Sequence, residues 1–366
     1  MRIKILFFFF FAFLITNILY SQVFSLKVDT TDPANTPDME FIKMYFKQDS
    51  ISTKYWLNAE EGSLYYNHNH LIDWIWRSLP PKEILERYYV QVIELDQLHD
   101  SLSYFTVLIT DNRKDKYAMY NIYKFYIVKN SKGTFLDNCL DYELHRFNKF
   151  DTKNISFYIS PHYTIPKNEL EITSKRLDSL YTHFNRARPE KPVRYFMCSR
   201  QEEMQILCNI VSWNGYVGGF SNMEDNYIVA FSDEPFYEHE FVHSVLGIGA
   251  PCFFLGEGIA SLYGGLSNTT LLTESVAELK ECYINNICNF TDLYNRKSYS
   301  EYNNNMTYAF AAIISRYIIN NYGLDIFLEM YYDESITTKN FLEKLALYID
   351  KAENEIIADI EEEILK

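Results

Sequence analysis

Short apolar runs separated by polar breaks dominate the chain between residues 41 and 160. The runs are rich in β-branched and aromatic residues and lie at 88–95, 104–110, 117–128 and 155–159. Such runs, with turn-forming residues between them, are typical of strands joined by hairpins. The pattern therefore predicts an antiparallel sheet over residues 41–160, preceded by one or two helices around 70–79 and 81–87.

The pattern changes after a polar stretch that is bracketed by Pro161 and Pro166. Apolar residues then recur at helical spacing over 167–186. A strand at 193–197, a helix at 200–208, a hairpin of 215–220 with 227–231 and then a succession of helices are predicted to follow. We therefore expect an α+β protein with an antiparallel α+β domain at 41–160. A second domain at 167–366 would combine a small mixed sheet with a helical C-terminus.

The N-terminal segment has the layout of a secretory signal peptide. Positive charge at Arg2 and Lys4 precedes an unbroken apolar run, and small and polar residues follow it. An uncleaved membrane anchor is the alternative, because the apolar region approaches spanning length. We predict a signal peptide at 1–21 and a flexible leader at 22–40. The mature protein would be periplasmic or extracellular, with no membrane association once the signal peptide has been cleaved.

Charge and cysteine content narrow the possible partners and crosslinks. The net charge is −15, which argues against nucleic acid as a partner because phosphate binding needs concentrated Lys and Arg. Six cysteines permit disulfides in an exported chain, although their spacing prescribes none. Cys198 and Cys208 flank a short turn and helix, and they are the favoured pair.

Residues 239–243, with the sequence HEFVH, carry the most specific chemistry in the chain. Two histidines four residues apart project from one face of a helix, one turn apart. That spacing lets the imidazoles of His239 and His243 reach one zinc ion at about 2.0–2.1 Å. Glu240 is offset around the helix, where it can take a proton from a water that the metal activates. Pro235 suits the first turn of this helix.

A carboxylate follows at Glu257, in the run GEGIA at 256–260. Together with HEFVH, this run resembles the gluzincins, and within them the peptidase MA-like proteins, whose third zinc ligand is a glutamate on the next helix. The resemblance implies a zincin-like fold for 167–366 and a Zn²⁺ site made by His239, His243 and Glu257. The spacer between His243 and Glu257 is shorter than in the large members of the family. Substrate preference is therefore not implied.

The chain departs from one further family pattern and is similar to another. The metzincin pattern fails, because Leu246 and Gly249 stand where it needs a glycine and a histidine. The strand pattern over 41–160 is similar to that of NTF2-like or cystatin-like domains, which leaves the role of this domain open.

The resemblance also implies groups around the metal. Zincins present an edge strand beside it, where a substrate peptide pairs as an added strand; an ordinary hairpin is the alternative. The candidates for this strand are Gly218, Gly219 and Phe220. Gluzincins often bind the developing oxyanion with a Tyr or His from a later helix, and Tyr308 is the candidate, with a core aromatic as the alternative. A partner for a metal-bound histidine is also expected, and the candidates are Asp225, Glu238 and Ser261.

These residues predict an exported zinc metallopeptidase that hydrolyses peptide bonds in a peptide or protein substrate, with Glu240 as general base and then acid. One alternative is a catalytically inactive zincin-fold protein that binds a component of the cell envelope. Another is a zinc amidase that acts on a non-peptide or cell-wall amide. An open coordination position with Glu240 beside it favours catalysis, whereas a plugged site favours binding.

Overall fold

The computed structural model describes residues 28–29, 31–50, 53–57, 79–111, 118–212, 218–223, 226–266, 272–295 and 304–366. The expected signal peptide lies outside these residues, as does nearly all of the helix expected around 70–79. Within them the chain is α+β, as predicted, with one antiparallel and one mixed sheet. The chain forms two units, one of Met1–Phe147 with Arg200–Tyr216 and one of Asn148–Ser199 with Val217–Lys366.

The first unit is built on the antiparallel sheet. Its strands are β1 (Tyr88–His99), β2 (Leu102–Asp111), β3 (Ala118–Asn130), β4 (Gly133–Asp137) and β8 (Ile210–Ser212). Its helices are α1 (Thr36–Tyr45), α2 (Pro81–Arg87) and α4 (Gln201–Leu207). The strand order is β1-β2-β3-β4, and β8 pairs with β3 off this path. Because side chains alternate between the faces of a strand, the sheet buries one apolar face, including Val107 and Phe125, in a core shared with Ile42 of α1.

Helix α1 begins inside the segment that was predicted to be a flexible leader. Residues 36–40 are helical, and Val28 is buried in the same core. The buried carboxylate of Asp38 accepts a hydrogen bond from Ser103 at 2.7 Å and pairs with Lys129 at 2.8 Å. The leader prediction is therefore wrong from residue 36 onward. The polar composition of the segment did not indicate this short helix, because its acidic residue Asp38 is buried and paired with residues of the sheet.

The second unit contains the mixed sheet. Its strands are β5 (Asn148–Asp151), β6 (Ile155–Ile159), β7 (Val193–Met197), β9 (Gly219–Asn222) and β10 (Tyr227–Ala230), in the order β5-β6-β7-β10-β9. Strands β6, β7 and β10 are parallel neighbours, whereas β5 and β9 are antiparallel to β6 and β10. The predicted hairpin is confirmed in its described part, where Phe220 pairs with Val229. Strand β9 therefore forms one edge of this sheet.

Helices complete the second unit. They are α3 (Lys167–His183), α5 (Glu238–Leu246), α6 (Phe253–Gly264), α7 (Leu272–Ile284), α8 (Phe290–Tyr294), α9 (Asn304–Tyr322), α10 (Leu324–Tyr332), α11 (Phe341–Ile349) and α12 (Glu353–Leu365). Helices α6 and α9 approach closely at Gly258, where an added Cβ would lie 2.5 Å from the carbonyl oxygen of Ala311. The helical C-terminus predicted from the sequence is confirmed, and its last helix, α12, buries Ile356, Ile360 and Ile364.

The predicted domain boundary between 160 and 167 is not where the two units divide. Strands β5 and β6 lie in the segment that was expected to belong to the first domain. However, β6 pairs with β7, and β5 and β6 belong to the second unit. Helix α4 and strand β8 were expected in the second domain, but β8 pairs with β3 through Ser212 and Ile122. Pairing between strands that are far apart in the chain therefore determines which unit each segment belongs to.

The six cysteines all lie within the described residues, and each is a buried free thiol. The disulfide favoured from the sequence is therefore not formed. Cys198 directly follows β7 of the second unit, and Cys208 ends α4 of the first. Among the described residues, no helix is both long and apolar enough to cross a membrane.

Candidate metal centre

Helix α5 places two of the predicted ligands on one face. It begins after Tyr237, whose ψ of 84° is not helical, and it ends at Gly247 with a φ of 72°. Pro235 was predicted in the first turn, but it lies before the helix because the buried Tyr237 interrupts the helical backbone. The rings of His239 and His243 are one turn apart, with centroids separated by 5.0 Å.

Helix α6 brings Glu257 to the two histidines. Its Oε2 lies 3.2 Å from Nε2 of His239 and 3.5 Å from Nε2 of His243. Two donors held about 2.1 Å from a tetrahedral ion are separated by roughly 3.4 Å. The three side chains offer one donor atom each within 4.8 Å of one another, and they could together hold a metal ion. The donor set and its spacing therefore fit a tetrahedral ion.

The ligand side chains perturb one another electrostatically. Burial raises the pKa of Glu257, but the two imidazoles lower it by more, and it lies well below its usual range. Burial lowers the pKa of His239, whereas Glu257, Glu240 and the Gly265 carbonyl raise it, so the net pKa is above its ordinary value. A metal ligand must be deprotonated. Metal affinity at this site is therefore expected to fall as the pH is lowered.

The hydrogen-bond partner of His239 is a backbone group that the sequence did not reveal. Nδ1 of His239 lies 2.9 Å from the carbonyl oxygen of Gly265, directly after α6. Of the three predicted partners, Asp225 lies outside the described residues, and Glu238 pairs with Arg176 at 3.5 Å. Ser261 is fully buried on α6. The Gly264–Gly265 dipeptide marks the end of a helix in the sequence, but its use by a histidine has no sequence signal.

Glu240 lies beside the ligands and faces the sheet edge. Its side chain is buried, and burial raises the pKa of its carboxyl above the usual value. The neighbouring imidazoles of His239 and His243, and to a smaller extent a hydrogen bond from Ser221 of β9, lower this pKa. Ser221 was not singled out from the sequence. Glu240 thus lies between the two histidines and the edge strand.

The edge-strand candidates from the sequence lie on or next to β9. Gly219 and Phe220 pair with β10, and the carbonyl oxygen of Gly218 accepts a hydrogen bond from the N–H of Phe231 at 2.8 Å. A Cβ on Gly219 would lie 2.8 Å from the ring of Tyr237, so the glycine lets the strand lie close to the start of α5. Among the described residues, β9 has no strand on its outer side.

Tyr308, the candidate from the later helices, lies near the ligands. It is on α9, half-buried, and its ring centroid is 6.3 Å from that of His239 and 5.3 Å from that of Phe253. It also belongs to the aromatic packing around α6. The structure thus places the predicted hydroxyl-bearing residue next to the donor set, and packing positions its ring.

Comparison of the chain with models of protein families, with curated proteins and with solved structures finds no match. The site itself therefore carries the functional inference. It offers two imidazole nitrogens and a carboxylate oxygen at metal-ligand spacing. A buried second carboxylate lies beside them, next to the edge of a sheet.

Proposed function

We propose that the chain is an exported zinc metallopeptidase of the gluzincin type, and that its second unit is a zincin-like domain. The observation that carries the proposal is the separation of the Glu257 Oε2 from the two imidazole Nε2 atoms, 3.2 and 3.5 Å. Two imidazoles and a carboxylate are a common donor set of catalytic zinc sites, which keep one position open. The charges and the apolar run of segment 1–21 support export.

In this proposal the protein residues divide the work between metal binding and proton transfer. His239, His243 and Glu257 hold the ion. Bound zinc would polarise the scissile carbonyl and lower the pKa of a water molecule. Glu240 accepts a proton from the attacking water on its carboxylate, and then delivers that proton to the nitrogen of the leaving amine. Ser221, on the edge strand beside Glu240, would help to orient this carboxylate.

The outer edge of β9 supports a peptide as the substrate. An extended peptide can add to such an edge through main-chain hydrogen bonds. Gly219 places no side chain on that edge, and Ser221 on the same strand lies beside Glu240. The scissile bond of a paired peptide would then lie near the general base. Tyr308, beside His239, would donate a hydrogen bond from its hydroxyl to the carbonyl oxygen as negative charge develops there.

The test is to measure bound zinc and the cleavage of denatured proteins by the wild type, Glu240→Gln and Glu238→Gln. Glu238 is the matched control, because it lies on the same helix but pairs with Arg176. We expect one zinc per chain in all three proteins and cleavage by the wild type and Glu238→Gln. Cleavage by Glu240→Gln should be about 10²–10⁴-fold slower, the usual contribution of a general base.

Other outcomes separate the alternatives. One zinc per chain without cleavage by the wild type would contradict the peptidase proposal and favour an inactive binding protein. Cleavage of a cell-wall amide but of no peptide would favour the amidase. A wild-type protein without zinc, isolated with chelators omitted, would contradict all three.

A further inference from the structure

Helix α6 ends in a backbone conformation that only glycine adopts readily. Gly265 caps the helix with a φ of 76° and a ψ of −169°, a region that is essentially restricted to glycine. Its carbonyl oxygen points back to Nδ1 of His239 at 2.9 Å. The residue with the unusual backbone conformation, Gly265, is therefore the same residue whose carbonyl oxygen contacts His239.

The preceding residue, Gly264, brings the two ligand-bearing helices into backbone contact. A Cβ on Gly264 would lie 2.2 Å from the backbone nitrogen of His239 and 2.6 Å from the carbonyl carbon of Glu238. Both of these are backbone atoms, so rotation of a side chain could not relieve the overlap. The end of α6 therefore packs directly on the first turn of α5, and glycine is required for that approach.

We propose that the Gly264–Gly265 turn is a positioning element for His239, a role that rests on the proposed metal binding. A carbonyl oxygen only accepts hydrogen bonds, so the neutral ring carries its proton on Nδ1 and directs the lone pair of Nε2 towards Glu257. Glu257 is on the helix that ends in this turn. One helix thus supplies the third ligand and also orients the first, which fixes the separation of the two donor atoms.

The consequence is a link between the conformation of one peptide and the affinity for metal. With any other residue at 265, the backbone would relax out of its glycine-only region and the carbonyl would move away from Nδ1. The His239 ring could then rotate, or carry its proton on Nε2, and both changes remove the lone pair from the site. Loss of such a partner typically weakens metal binding about 10–100-fold.

The experiment compares Gly265→Ala with Gly323→Ala. Gly323, between α9 and α10, has a φ of 93° and a ψ of 160°, and a Cβ there would meet open space. It follows the end of α9 that is far from Tyr308, roughly 20 Å away along the helix. Dissociation constants for Zn²⁺ and Co²⁺ are measured by competition with a chromophoric chelator, and melting temperatures are measured on the metal-free proteins.

We expect both variants to melt at lower temperature, because both place alanine in a glycine-only conformation. Only Gly265→Ala should bind Zn²⁺ and Co²⁺ about 10–100-fold more weakly. Wild-type affinity in Gly265→Ala would overturn the inference and leave the proposed function intact, as would an equal loss of affinity in Gly323→Ala. A wild type that binds neither ion would instead overturn the proposed function.

A second measurement needs no substitution at the turn, and so it holds even where Gly265→Ala fails to fold. A long-range ¹H–¹⁵N spectrum of the zinc-loaded wild type reports which ring nitrogen of His239 carries its proton, and a His239→Gln variant assigns the signal. We expect the proton on Nδ1 and the metal on Nε2. A zinc-loaded protein with the proton of His239 on Nε2 would overturn the inference.

Discussion

Gly256 and Gly258 flank the proposed metal ligand Glu257 on α6, and their replacement by alanine is expected to change stability in opposite directions. Both lie inside the helix, where glycine costs about 1 kcal/mol relative to alanine. They differ in their surroundings. A Cβ on Gly256 would meet nothing within 4 Å, whereas a Cβ on Gly258 would lie 2.5 Å from the Ala311 carbonyl oxygen and 2.4 Å from Ser315 Oγ.

The magnitudes follow from these surroundings. Gly256→Ala gains helix propensity without a clash and should stabilise the protein by about 0.5–1 kcal/mol. Gly258→Ala gains the same propensity, but it overpacks the contact between α6 and α9, which typically costs about 1–3 kcal/mol. The Ala311 oxygen belongs to a helical backbone and cannot rotate away, so the upper part of that range applies. The gain in helix propensity offsets only part of the cost of overpacking, so Gly258→Ala should lower the free energy of unfolding by about 1–2 kcal/mol.

The assay is urea unfolding of the metal-free wild type and both variants, supported by calorimetry. For a unit of about 200 residues, each kcal/mol shifts the melting temperature by roughly 2–4 °C. The two variants should therefore melt roughly 3–12 °C apart, with the wild type between them. Gly258→Ala as stable as Gly256→Ala would refute the reasoning, because it would mean that α6 and α9 do not approach as closely as the structure indicates.

Three further predictions concern other parts of the chain. Burial raises the pKa of Glu143, but Lys124 and other partners lower it by more. The ionised Glu143 should therefore contribute its full stabilisation of the folded state at neutral pH. That stabilisation should be lost as the pH falls below about 4.3, the ordinary pKa of a glutamate, towards the lower pKa of the folded state. Glu143→Gln should cost about 1.5–3 kcal/mol at pH 7, since it replaces the charged partner of Lys124 by a neutral amide, and urea titrations at pH 7 and pH 3 check both statements. Burial raises the pKa of Cys252 to about 11 and that of Cys288 to about 12. Because the thiolate is the reactive form, both thiols should react with iodoacetamide at pH 8 at least about 100-fold more slowly in the folded protein than in urea. Mass spectrometry would measure the two rates. Gly219→Ala should destabilise the second unit by about 1–2 kcal/mol in urea, because its Cβ would lie 2.8 Å from the tyrosine ring that precedes α5; an unchanged midpoint would contradict that contact.

Much of the local structure could be predicted from the sequence, because short-range patterns determine it. The predicted helix at 81–87 and the predicted strand at 193–197 agree with α2 and β7, since Pro at a helix start and β-branched or aromatic runs act locally. The spacing of His239 and His243 is also a local property of a helix, which is why the structure places them on one face. Glu257 joins them because α6 follows α5 after a short loop.

The features that the sequence did not reveal depend on contacts between distant residues or on the backbone. Strand β8 pairs with β3, and nothing in its short sequence indicates a partner so far away in the chain. The carbonyl of Gly265 could not be predicted as the partner of His239, because every residue has a carbonyl and composition therefore carries no signal. Ser221 reaches Glu240 only because the edge strand lies next to α5, which is a consequence of tertiary packing.

The membership of α4 and β8 in the first unit has a consequence for the order in which the chain can fold during synthesis. The first unit includes Arg200–Tyr216, and Ile210 of β8 is buried in its core. A nascent chain that ends at residue 147 already contains β1 to β4, but the surface that receives β8 on β3 is still uncovered. The ribosome must first produce β5, β6, α3 and β7, which belong to the other unit. Neither unit can therefore be completed before translation of the other has begun, and an N-terminal fragment that ends at residue 147 would expose part of its sheet to aggregation.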